Sequence, residues 1–187
     1  MTFWPRWDTR ATAGEASEET SLVEAARRGD REAFEGLYRR HTRLVNGILL
    51  ARVPPAEVED LVQDVFVAAL ERLSTLRDAA AFGPWVAMIA RNRATDYYRR
   101  SKPAEELPED LGVDDPDRVE AMAALTAIQA LPDAYRETLT LRLVEGMTGP
   151  EIAARTGLTE GSVRVNLHRG MKMLREKLGS SEAGASQ

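Results

Sequence analysis

Residues 147–178 read MTGPEIAARTGLTEGSVRVNLHRGMKMLREKL, and their pattern decides what kind of fold the chain can have. Pro150 stands where a helix begins, since its fixed φ suits the first helical turn. The short helix it opens, 150–155, ends near Gly157, and Thr159 can cap the next helix through its side-chain oxygen. Beyond that turn Val163, Leu167, Met171, Leu174 and Leu178 recur at three- and four-residue steps. At 100° per residue they fall within an arc of about 80°. Opposite them lie Ser162, Val165, Arg169 and Lys172, with Arg164, His168 and Arg175 along one flank. One face is built for a core and the other is basic and rich in hydrogen-bonding groups. A helix-turn-helix presents its second helix to duplex DNA in this way. The plainer reading is a solvated charged face on an ordinary helix pair.

The chain has 187 residues, 43% of them hydrophobic, which allows one large domain or two small ones. Its formal net charge of −5 is unusual for a DNA binder until it is mapped along the sequence. Residues 91–102 hold five bases against Asp96, and residues 164–177 hold five against Glu176. Between them, residues 105–120 carry eight acids against Arg118. Two basic segments are thus separated by an acidic one. There is no cysteine, which excludes disulfides, thiolate zinc sites and thiol redox sensing within the chain. No apolar run is long enough for a membrane span, and the N-terminus lacks a signal-peptide pattern, so a cytoplasmic protein without membrane insertion is expected.

Outward from the opening stretch, helical periodicity covers most of the chain. Residues 1–20, with the aromatic cluster Phe3, Trp4 and Trp7, read as a mobile tail. A helix from Ser21 stops at Gly29-Asp30, and a longer one ends before Pro54-Pro55. The next, 57–73, buries Val58, Leu61, Val62, Val65, Phe66 and Ala69, and turns Asp60, Gln63, Asp64, Val67 and Glu71 outward. A fourth helix, 84–101, sets Val86, Ala90, Ala94 and Tyr97 toward a core. A second stripe on it carries Trp85, Met88, Asn92, Thr95, Asp96 and Arg99, with Arg91, Arg93 and Arg100 around it. Aromatics among bases and amides suit unstacked single-stranded bases, although Trp85 suits a core equally well. Residues 102–118 form an acidic, proline-containing linker. Two further helices, to Leu131 and from Pro132-Asp133 to about Glu145, precede the helix-turn-helix. Residues 138–143 alternate as a strand would, but the helix start and the Gly146 stop outweigh them. The expectation is all-α: two small helical domains, 21–101 and 119–179, joined by a flexible acidic linker, with a polar tail at 180–187.

EVEDLVQDVF at 57–66, FGPWVAMIARNRATDYYRR at 82–100, LPDAYRETLTLRLVEGMT at 131–148 and EIAARTGLTEGSVRVNLHRGMKMLREKL at 151–178 occur in this order. Together they resemble bacterial RNA polymerase sigma factors of the extracytoplasmic-function group, within the sigma-70 family. The resemblance implies region 2 at 21–101 and region 4 at 119–179. It implies docking of core polymerase on Asp60, Leu61, Gln63, Asp64 and Phe66, through the clamp helices of β′, and of region 4 on the β flap. It implies recognition and melting of the −10 promoter element by Trp85, Arg91, Asn92, Asp96, Arg99 and Arg100, with Asn92 and Asp96 facing the captured base beside the 74–81 loop. Reading of the −35 element falls to Ser162, Arg164, Asn166, His168, Arg169 and Lys172. An anti-sigma factor is a further implied partner.

The sequence departs from the family at Val165-Asn166, where a small polar residue and a base are usual, and at Gly170, where alanine is usual. A rival is a helix-turn-helix regulator binding operator DNA as a homodimer, which leaves the 57–66 face and the 85–100 stripe without a role. Enzymatic activity is the remoter alternative. Only His41 and His168 are present as histidines, and there is no glycine-rich phosphate loop or metal-ligand cluster, so no catalytic residue, metal or cofactor is expected.

Overall fold

Helix α1, Ala13–Arg27, stops at Gly29, whose φ of 92° is left-handed. Asp30 then caps α2, Arg31–Leu50, by accepting from the Ala33 amide at 3.1 Å. Helix α3 spans Val58–Arg72 and α4 spans Phe82–Arg100, with single 3-10 turns at Pro55–Glu57, Leu73–Thr75 and Ala79–Ala81. These four helices share a core of Leu37, Leu44, Val45, Ile48, Val62, Val65, Phe82, Val86, Ala90 and Ala94. The second unit holds α5, Pro116–Gln129, α6, Asp133–Leu143, α7, Gly149–Thr156, and α8, Glu160–Gly184. The computed structural model describes residues 13–100 and 116–184, and all regular structure among them is helical, as the sequence patterning requires.

The ends of the units correct three expected boundaries. Residues 13–20 belong to α1 rather than to a tail. AGEASEE there has no apolar period, but alanine and glutamate are strong helix formers. Glu18 and Glu19 also reach Arg40 and His41 on α2, at 2.6 and 2.9 Å. Helix α5 begins at Pro116, inside the expected linker, with its proline at the helix start. Helix α8 runs on to Gly184 past the expected stop at 179, since no proline follows Gly179 to end it. Phe3, Trp4 and Trp7, residues 102–115 of the acidic linker and residues 185–187 lie outside the described residues.

The helix-turn-helix forms with the expected stop at Gly157 and cap at Thr159, and with a capping box that the sequence reading did not name. Thr148 and Glu151 make a reciprocal capping box at the start of α7, and Gly157, with φ of 77°, ends it. Thr159 Oγ1 accepts from the Ser162 amide at 3.1 Å and so caps α8. Val163, Leu167 and Leu174 are buried in the core that also holds Leu139, Leu141 and Ile152.

The two units lie directly against each other, α6 on α2 and α7 on α4. A Cβ on Gly47 would stand 2.7 Å from Leu141 Cδ2, so a side chain here would have to displace Leu141 for the helices to keep this approach. Gln129 Nε2 donates to the Leu50 and Val53 carbonyls at 2.7 and 3.2 Å. Asn46 Nδ2 donates to Glu145 Oε1, and Arg155 Nη1 to the Arg40 carbonyl, both at 2.5 Å.

Beside this last contact lies buried His41. Burial holds its imidazole below the usual 6.5, against the pull of Glu19 and with the repulsion of Arg155 and Arg40. Burial pushes the Glu19 carboxyl up, but the hydrogen bond to His41 and the charges of Arg40 and Arg155 bring it below 4.5. At neutral pH the uncharged ring therefore donates from Nε2 to Glu19, and Nδ1 has no partner among the described residues.

Candidate nucleic-acid interface

Helix α8 carries the first candidate surface. Its apolar stripe is buried, and Ser162, Arg164, His168, Arg169 and Lys172 are exposed on the other side, with Asn166 half-buried at one edge. The Ser162 hydroxyl is hydrogen-bonded to Thr159 Oγ1 at 2.8 Å. Arg164, His168, Arg169 and Lys172 pair with no other described residue. Uncommitted donors on a rigid helix are what major-groove base edges and phosphates require. Gly170 is buried where α6 crosses α8, and a Cβ there would sit 2.9 Å from Leu139 Cδ1 and 3.2 Å from Tyr135 Cβ. Gly170 therefore lies at a close approach of α6 and α8, where an added side chain would have to displace Leu139 or Tyr135.

Helix α4 carries the second. Asn92, Arg99 and Arg100 are exposed, and half-buried Asp96 receives a 2.8 Å hydrogen bond from Arg99 Nη2. Trp85 is half-buried, its ring 5.7 Å from that of Phe82, so it serves the core as much as the surface. Arg91 is turned away from this stripe: its Nε and Nη2 donate to both oxygens of Glu137 on α6, at 3.1 and 2.6 Å. Arg52 Nη2 meets the same carboxylate at 2.7 Å.

A profile described as "Sigma-70 region 2" matches residues 37–103, and one described as "Sigma-70, region 4" matches residues 121–174. The chain is 34% identical to RNA polymerase sigma factor CarQ of Myxococcus xanthus, over 86% of its own length and 97% of that protein. It is 36% identical to the extracytoplasmic-function sigma factor SigF of Caulobacter vibrioides, over 66% and 72% of the two chains. The chain is an extracytoplasmic-function sigma factor. Among solved structures it is similar to CnrH in complex with the cytosolic domain of CnrY, with a TM-score of 0.64, 27% identity, and 87% and 98% of the chains covered. No described helix of this sigma factor is long and apolar enough to cross a membrane.

The third surface is the outer face of α3 in region 2. Asp60, Gln63 and Asp64 are exposed and Leu61 is half-buried. Phe66, grouped with them by resemblance, is buried, its ring 4.5 Å from that of Tyr38, and it anchors α3 from beneath. Sequence reasoning missed Leu70, which stands about half exposed beside Gln63 and Val67. Its signal was a leucine lying two turns beyond Gln63, off the buried arc. Also missed were Arg52 and Glu137. The readable sign was an acid next to Thr138 and Thr140 on a helix side that the core occupies, since a buried carboxylate requires cations.

Proposed function

We propose that this sigma factor reads the −35 element with the outer face of α8, captures the opened −10 strand along α4, and docks on the β′ clamp helices of core polymerase through α3. Region 4 supplies the contact to the β flap. The observation that carries this reading is the row Arg164, His168, Arg169 and Lys172, exposed and unpaired on a helix whose other side is fixed in a core. The cluster of Asn92, Asp96 and Arg99 on α4 supports the strand-capture role, since amides, acceptors and bases can hold a base taken out of the stack. An anti-sigma factor is a further partner in this reading, supported by the likeness to CnrH bound to the cytosolic domain of CnrY.

The test uses holoenzyme on matched and premelted promoter templates, read by permanganate reactivity and run-off transcription. Asn92→Ala is expected to retain −35 binding, to open the matched template poorly, and to recover on the premelted one, where the unpairing cost is already met. Equal loss on both templates would point to general misfolding or docking failure, and no loss on either would remove α4 from strand capture. Arg169→Ala is expected to weaken binding to −35 duplex by about 1–3 kcal/mol. Unchanged promoter selection in Arg169→Ala and Arg164→Ala would remove α8 from reading.

A further inference from the structure

Glu137 is an acid at the boundary between the two units, and its side chain is only 8% exposed. Three guanidinium nitrogens converge on it: Arg91 Nη2 on Oε1, and Arg91 Nε and Arg52 Nη2 on Oε2. Both arginines belong to the first unit, and their side chains are 32% and 14% exposed. A planar guanidinium matches the two oxygens of a carboxylate and the two non-bridging oxygens of a phosphodiester in the same bidentate manner. If the units part, two cations remain side by side with nothing between them, an arrangement that favours binding of another anion.

The surroundings say which anion. Arg91 is the neighbour of Asn92 on α4, and Tyr98 lies two turns along the same flank. Tyr98 donates its hydroxyl hydrogen to the Arg52 carbonyl at 2.8 Å, and its ring is exposed. Arg52 is steadied by its own contact to the Ile48 carbonyl at 3.3 Å. Bases beside an exposed aromatic ring are the equipment of a surface that tracks a single nucleic-acid strand.

We propose that Arg52 and Arg91 form a phosphate-binding pair for the promoter strand, and that Glu137 of region 4 fills it in the closed chain as a stand-in for the phosphodiester. This rests on the reading of α4 as the strand-capturing helix and extends it to Arg52, which lies on no promoter-contacting helix of that reading. Closure and strand binding then exclude each other at one pair of side chains.

The experiment uses the full chain, a fluorescent twelve-nucleotide oligothymidylate as probe, and X-ray scattering to follow the separation of the units. Glu137→Gln should enlarge the radius of gyration and tighten oligothymidylate binding by about tenfold, with a steeper salt dependence. In that background, adding Arg52→Ala or Arg91→Ala should abolish most of the gain while the chain stays expanded. A Glu137→Gln chain that stays compact, or one that expands without an arginine-dependent gain, overturns the proposal. If Glu137→Gln loses its helical circular dichroism, Arg52→Ala is assayed as holoenzyme instead. It should hold a premelted promoter about tenfold more weakly, with a salt slope lower by about 0.7, the change for one lost single-strand phosphate contact. Retention equal to wild type overturns the proposal. The Asn92→Ala comparison on matched and premelted templates reports separately on the broader reading: an Asn92 effect with no Arg52 effect sinks the arginine pair alone.

Discussion

Alanine at position 170 would gain up to about 1 kcal/mol of helix propensity over glycine. Its Cβ would nevertheless press on Leu139, which is fully buried, and on the Cβ of Tyr135, which moves only with its backbone. Overpacking of this kind costs about 1–3 kcal/mol, so Gly170→Ala is expected to lower the thermal midpoint. A raised midpoint in circular dichroism melts would show that α6 yields freely. From the sequence alone this glycine registers only as a propensity cost, because the crossing of α6 over α8 is a tertiary fact. Trp85 and Phe66 carry the same lesson. Their positions on the helices are legible, but the share of each side chain taken by Phe82 and Tyr38 is not. Arg91 was legible as a base on α4, whereas its engagement by Glu137 depends on how the units meet.

At the scale of the element, legibility follows periodicity and capping. The two faces of α8 and the cap residues Thr159 and Gly157 were readable because each leaves a local signature. Helix α1 was readable only from Ser21, since its first turns have helix-forming residues without an apolar stripe, and their acids find partners on α2. Helix α3 shows its two sides plainly, and its outer one mixes Asp60, Gln63 and Asp64 with exposed Val67 and Leu70. An acidic rim around apolar side chains suits a basic partner helix with an apolar stripe. Asp64→Lys is therefore expected to reduce core-polymerase affinity about tenfold with helix content unchanged, as measured by holoenzyme assembly and circular dichroism. Assembly as tight as wild type would leave this face as solvated surface.

At the scale of the molecule, the packing of region 4 on region 2 was not legible, because its contacts join distant polar residues that carry no pattern of their own. Asn46 with Glu145, Gln129 with the Leu50 carbonyl and Arg155 with the Arg40 carbonyl are each unremarkable in sequence. The buried His41–Glu19 pair beside this contact is expected to give the fold a pH dependence. A histidine whose folded pKa lies below 6.5 contributes stability that is present above 6.5 and is lost as pH falls through the folded value. Glu19, held below 4.5, acts in the same direction further down the scale. The thermal midpoint is expected to be level from pH 8 to 7 and to fall below about 6.5, by about 2–4 °C for each kcal/mol lost. His41→Gln should start lower at pH 8 and stay level through pH 6. A wild-type midpoint that rises on acidification would contradict the buried neutral ring.

The two units are also one chain. The peptide from Arg100 to Pro116 can stretch no further than about 55 Å. Each unit therefore meets the other at an effective concentration on the order of millimolar, whatever the abundance of the protein in the cell. A contact too weak to hold two separate molecules together would still be occupied here for a large part of the time. Every ligand of the covered surfaces then competes with a tethered neighbour, and its apparent affinity is the intrinsic one multiplied by the fraction of chains that are open. Cutting the tether would relieve that competition without changing a single contact.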